Sequence, residues 1–125
     1  MDSGRAARAQ PVENRHGGPA GLGIAERDGA FAERLRASFA GNGLPCVLYR
    51  TADALLEDLA ARPPRLVLLS GEDPAAQLAA LRRLRDVSRV PCILLAGALD
   101  EAGGALARDA GADDAADRSA PFAAV

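Results

Sequence analysis

Arg65-Leu66-Val67-Leu68-Leu69-Ser70, followed by Gly71-Glu72-Asp73-Pro74, is the stretch on which the fold turns. Four large aliphatics in succession, entered from Pro63-Pro64 and left through a Gly/Asp/Pro turn, read as a short strand buried on both faces. Strands of that kind belong to parallel sheets covered by helices, whose chemistry gathers in the loops at their carboxyl ends. Ser70, at the end of this strand, is therefore the first residue to question.

Working outward, residues 91–96 repeat the pattern as Cys92-Ile93-Leu94-Leu95, and residues 45–49 carry Cys46-Val47-Leu48. Leu22-Gly23-Ile24-Ala25 is a weaker strand, and residues 111–118 form a last one of low strand propensity. Helical periodicity fills the intervals. Asp28 is placed to cap a helix with Phe31, Leu35 and Phe39 on one side, which stops at the left-handed C-cap sequence Gly41-Asn42-Gly43. Thr51 caps a second helix carrying Leu55, Leu56 and Leu59, ended by Pro63-Pro64. Residues 74–87 place Leu78, Leu81 and Leu84 inward and Arg82, Arg83 and Arg85 outward; residues 100–110 make a helix weakened by Gly103-Gly104. Five strands with one helix per step predict an α/β fold, a doubly wound parallel five-stranded sheet with right-handed crossovers. Only residues 119–125 follow the fifth strand, so the final helix is expected to be missing or truncated.

The chain of 125 residues suits one domain with a core that needs no disulfide or metal. Hydrophobic residues make up 49% but aromatics 3%, so that core is aliphatic. Fifteen basic residues, all arginine, against 17 acidic ones leave a net charge of −2, which points to neither a nucleic-acid nor a membrane surface. No apolar run is long enough to span a bilayer and no signal sequence is evident, so a cytoplasmic protein is expected. Residues 1–20 are rich in Gly, Arg, Pro and Ala and read as a disordered leader to a domain over 21–125. The single histidine, His16, lies in that leader without a second ligand nearby. Gly21-Leu22-Gly23 lacks a third glycine and lies within a strand, which argues against a dinucleotide site. Asp113-Asp114 with Asp117 read as a solvated acidic edge rather than a cation site.

Taken together, Ala25-Glu26-Arg27-Asp28-Gly29-Ala30-Phe31, Leu66-Val67-Leu68-Leu69-Ser70 with Pro74, Leu81-Arg82-Arg83-Leu84-Arg85, residues 91–96 and Ala110-Gly111-Ala112-Asp113-Asp114 resemble the receiver domains of bacterial response regulators. The resemblance covers residues 21–122 and implies a flavodoxin-like sheet in the order 2-1-3-4-5. It also implies phosphoryl transfer to an aspartate ending the third strand. Magnesium held by nearby carboxylates, a lysine, a switch Thr/Ser and a switch aromatic would accompany that aspartate.

The residues depart from that pattern throughout. Ser70 stands at the acceptor position, Glu26 keeps the first acidic position, and Arg27 replaces the second. Ala96 takes the switch hydroxyl's place, Ala115 the aromatic's, and Arg118 the lysine's; matching Pro121-Phe122 instead would put Ala120 there. Glu26, Arg27 and Ser70 sum to zero charge where the family's site carries about −3, so neither a metal nor another cofactor is expected. Arg27 is either an internal cation paired with Glu26 or Asp28, which is the reading favoured here, or a surface residue. Cys46 and Cys92, on strands three steps and roughly 14 Å apart, are expected to be buried free thiols beyond disulfide reach.

Two function classes follow. One is a degenerate receiver-like signalling module, not an enzyme, that works by contact with a protein partner or a second copy and has no catalytic residue. Its degenerate phospho-site would be Glu26, Arg27, Ser70, Ala96 and Arg118. The other is a small flavodoxin-like enzyme or ligand-binding protein using the Glu26/Arg27/Ser70 cluster.

Overall fold

The aliphatic run at 66–69 forms the middle of β4 (Pro64–Gly71), in a computed structural model that describes residues 9–11 and 20–122. It lies between β2 (Ala20–Glu26) and β5 (Cys92–Ala96), with Leu22 opposite Leu66 and Val67 opposite Cys92. Beyond β2 is β3 (Cys46–Tyr49), and beyond β5 is β6 (Asp114–Asp117). These five strands are all parallel and stand in the order 2-1-3-4-5, as expected. A sixth segment, β1 (Ala9–Pro11), runs antiparallel along the outer edge of β3 with Ala9 opposite Tyr49. The sequence placed it in a disordered leader. An open edge offers unpaired N–H and C=O groups to any nearby chain, and an edge is where a proline is tolerated. Ala20 likewise opens β2, whereas His16 and the rest of the leader lie outside the described residues.

Four helices connect the parallel strands: α1 (Gly29–Ala40), α2 (Ala52–Asp58), α3 (Pro74–Val87) and α4 (Glu101–Asp109). Each begins at a side chain that accepts from an otherwise orphaned N–H: Asp28 from Phe31, Thr51 from Ala54, Asp73 from Ala75 and Asp100 from Gly103. At the end of α1, Gly43 takes the left-handed conformation (φ 81°), its N–H donating to the Ala40 carbonyl (2.9 Å) and the Leu44 N–H to that of Phe39 (3.0 Å), which is the left-handed cap expected over Gly41-Asn42-Gly43. Helix α2 stops at Asp58, whose carboxylate accepts the Tyr49 hydroxyl at 2.6 Å, well short of Pro63.

Alternation along the strands divides the core in two. Leu22, Ile24, Cys46, Leu68 and Leu95 face Leu35 of α1, while Val47, Val67, Leu69 and Leu94 face Leu55 of α2 and Leu81 and Leu84 of α3. On the α1 side Leu66, Ile93 and Ala116 stay half-buried. Cys46 and Cys92 are buried free thiols, and burial pushes the Cys92 thiol up to about 12.

Arg85, expected to point outward, folds back instead. Its guanidinium donates to the carbonyls of Gly111 (2.9 Å), Ser88 (3.2 Å) and Val90 (2.7 Å) and to the Asp113 carboxylate (3.3 Å). Asp113 in turn accepts the Cys92 N–H at 2.8 Å, so this aspartate fastens the start of β5 while staying, like Asp114, on the solvated edge expected for it. The chain passes close to the Arg85 stem at Gly111 (φ 114°), where a Cβ would come within 3.0 Å of it.

Candidate functional site

Register alone brings Glu26 and Ser70 together, because they are opposite one another at the carboxyl ends of β2 and β4. Both share the parity of Ile24 and Leu68 and so lie on the α1 side of the sheet. The Ser70 hydroxyl donates to Glu26 Oε1 at 2.5 Å. From just past β6, where its own N–H is fixed to the Ala96 carbonyl (2.8 Å), Arg118 reaches back across the strand ends. Its Nε donates to Glu26 Oε1 (3.2 Å), its Nη2 to Oε2 (2.8 Å) and its Nη1 to Glu72 Oε2 (2.6 Å). The Asp28 N–H adds a bond to Oε2 at 3.0 Å. The guanidinium carbon lies 4.0 Å from the centroid of the Phe31 ring, within cation–π range.

The Glu26 side chain is 1% exposed and that of Arg118 12%. Such a carboxylate is tolerable only because each of its oxygens accepts two hydrogen bonds and a counter-charge lies against it. Hydrogen bonds to Glu26 hold the Arg118 guanidinium above its ordinary value, with burial opposing them. Nearby, the Ser119 hydroxyl and N–H hold the Asp117 carboxyl below the usual carboxylate range.

Of the residues singled out from sequence, Glu26, Ser70 and Arg118 come together. Arg27 does not: it is exposed and, among the described residues, pairs with neither Glu26 nor Asp28. The internal cation is Arg118. Adjacent residues at the end of a strand point to opposite faces, so Glu26 and Arg27 cannot both turn toward Ser70. Ala96 is fully buried in the core of the opposite face and contributes only its carbonyl. Ala120 begins a single 3-10 turn (Ala120–Phe122), and Arg118 rather than Ala120 reaches the cluster. Sequence reasoning missed Glu72 and the second role of Phe31. Only the position of Glu72, two residues past Ser70, was there to suggest it.

The arrangement limits the chemistry. Ser70 has a carboxylate within reach, as a serine nucleophile with a general base would. Yet that carboxylate is committed to a bidentate arginine, and the hydroxyl is buried with it. Nor do the residues fit the magnesium ion that the receiver resemblance implies. Both Glu26 oxygens are engaged, a guanidinium fills the space beside them, and Ser70 adds no charge. Among the described residues no group of three or more His, Cys, Asp or Glu side chains could hold a metal, and no helix is long and apolar enough to cross a membrane.

No family model matches the sequence, and no curated protein does. Solved structures do. The chain is similar to the receiver domain of the Francisella response regulator 1452, with a TM-score of 0.71 and 17% identity, covering 79% of this chain and 84% of that one. It is also similar to a putative response regulator from Chloroflexus aurantiacus J-10-fl, with a TM-score of 0.70 and 20% identity over 80% of this chain and 85% of the other. The receiver domain of the TMAO respiratory system response regulator TorR matches with a TM-score of 0.67 and 25% identity, over 80% and 84% of the two chains. The fold is thus that of response-regulator receiver domains.

Proposed function

We propose that this chain is a receiver-like signalling module that acts through protein contact, without aspartyl phosphorylation and without catalysis of its own. One observation carries the reading: the Arg118 guanidinium and the Glu26 carboxylate already neutralise each other at the strand ends, with Ser70 hydrogen-bonded into the pair. A site of this kind is occupied by its own side chains. It presents no acyl-phosphate acceptor, and Arg118 offsets the Glu26 charge that would otherwise draw a divalent cation. Arg118 also ties the end of β2 to Glu72, in the loop after β4. Signalling then rests on surfaces, and the half-buried Leu66, Ile93 and Ala116 on the α1 side of the sheet are the candidates for contact with a second copy.

Incubation with acetyl phosphate and magnesium, followed by intact-protein mass spectrometry, tests the site directly. No phosphoryl adduct should form. A stoichiometric adduct on the wild-type chain would overturn the reading.

A further inference from the structure

Between α2 and α3, at the same carboxyl edge of the sheet, opens a groove of about 750 Å3, within the range of small-molecule sites. Its floor is made of short side chains, Ala52 from α2 and Ala76, Ala79 and Ala80 from α3. Its border carries Arg27, Arg50, Arg83 and Arg118. Two of these are committed, Arg118 to Glu26 and Glu72 and Arg83 to Asp53. The other two, Arg27 and Arg50, are exposed and have no hydrogen-bond or ion-pair partner among the described residues.

Both line the groove, from the ends of neighbouring strands. Ala25 is opposite Tyr49 in the parallel pair β2–β3, so Glu26 and Arg50 come next and Arg27 one residue later. Two like charges lining one groove repel, and an anion between them turns the repulsion into attraction. Of the carboxylates lining the groove, Asp53 pairs with Arg83 and Glu26 and Glu72 share Arg118, while Asp28 and Asp73 accept backbone N–H groups at the starts of α1 and α3 and keep their charge. A neutral donor faces the same space. The Gln77 carboxamide lies directly against the bare backbone of Gly71, where a Cβ would come within 2.2 Å of its Nε2, and it too has no partner among the described residues.

We propose that this groove binds a small organic anion. Its carboxylate, sulfonate or phosphate group sits between Arg27 and Arg50, a short apolar body lies along the alanine floor, and the Gln77 amide donates to a carbonyl or hydroxyl of the ligand. The position at which the receiver resemblance implies a metal-ligating carboxylate thus carries a cation, and the charge of the ligand is inverted. Arg27, Arg50 and Gln77 make none of the hydrogen bonds of the Glu26–Ser70–Arg118 cluster, which borders the same groove, so the proposal is tested apart from the phosphodonor experiment.

The test uses the full chain and 8-anilinonaphthalene-1-sulfonate, an apolar body with one anionic group. Its fluorescence should report saturable binding, weakened about tenfold or more in the Arg27→Ala/Arg50→Ala variant, since each charge-assisted contact is worth about tenfold. Ala79→Leu, an exposed position on the floor, should also weaken it, and Arg82→Ala, an exposed arginine outside the groove, should not. Far-UV circular dichroism identical to wild type guards against misfolded variants. If millimolar inorganic phosphate displaces the probe, the anionic group alone suffices; if it does not while the arginine dependence persists, head and body act together. Either result supports the proposal. Absence of saturable binding, or equal binding by the wild type and the double arginine variant, overturns it.

Discussion

Replacing Arg118 by alanine isolates the interaction on which the site depends. Glu26 would keep its bonds to Ser70 and the Asp28 N–H but lose two guanidinium hydrogen bonds and its counter-charge, with a side chain only 1% exposed. Breaking one partner out of a buried pair costs about 3–5 kcal/mol, and loss of the Phe31 stacking adds up to ~1 kcal/mol. Arg118 itself is 12% exposed, so water can partly replace it, which places the expected loss at the lower end, about 3 kcal/mol. That is a large part of the total of about 5–15 kcal/mol that holds an ordinary domain together. The chain has no tryptophan, so urea unfolding is best followed by far-UV circular dichroism, and the midpoint should fall by roughly 1–3 M. Adding Glu26→Gln to Arg118→Ala removes the stranded charge and should recover much of the loss, a non-additivity that a double-mutant cycle measures. Arg27→Ala serves as the internal control and should cost less than about 0.5 kcal/mol, as exposed arginines do. A loss below about 0.5 kcal/mol for Arg118→Ala, or a double variant no more stable than the single one, would refute the argument.

Arg85→Ala removes bonds to three carbonyls and to Asp113 and should cost about 3 kcal/mol, read as a fall in Tm, with Arg85→Lys recovering little because an ammonium cannot span the same fork. Cys92 titrates at about 12 in the folded chain against 9.0 unperturbed; a raised pKa gives stability that is complete below the unfolded value and lost as pH rises. Between pH 9 and about 12 the chain should therefore lose about 1.4 kcal/mol per pH unit from this thiol, and Cys92→Ala should flatten that slope in denaturation measured across the range. Light scattering at micromolar concentration should detect a dimer, and Ile93→Arg should return it to a monomer; a wild-type chain that is strictly monomeric would remove self-association from the proposed function.

The course of the chain was legible because buried parallel strands write themselves as unbroken aliphatic runs and helices announce their beginnings. Leu66–Leu69 and Ile93–Leu95 lie where they were read, and Asp28 and Thr51 cap the helices they were expected to cap. These are local signals, each carried by fewer than about eight residues. The segment at Ala9–Pro11 carried no such signal, since an edge strand can be held by backbone hydrogen bonds that any sequence supplies.

The identity of the buried cation was a different kind of question. Arg27 is next to Glu26 in sequence and Arg118 is 92 residues away, yet Arg118 makes the pair. Composition shows that an arginine is available but not which one loses its water. Strand parity turns Arg27 away from Ser70, and the approach of the chain past β6 brings Arg118 over the strand ends. The same holds for Arg85, whose helical neighbours Arg82 and Arg83 are exposed while it folds back onto four partners. Sequence by itself determined the strands, the helices and their order, because these follow from nearest neighbours and period. The partners of the charges were decided only by tertiary structure, because desolvation and counter-charge depend on which distant backbone arrives beside them.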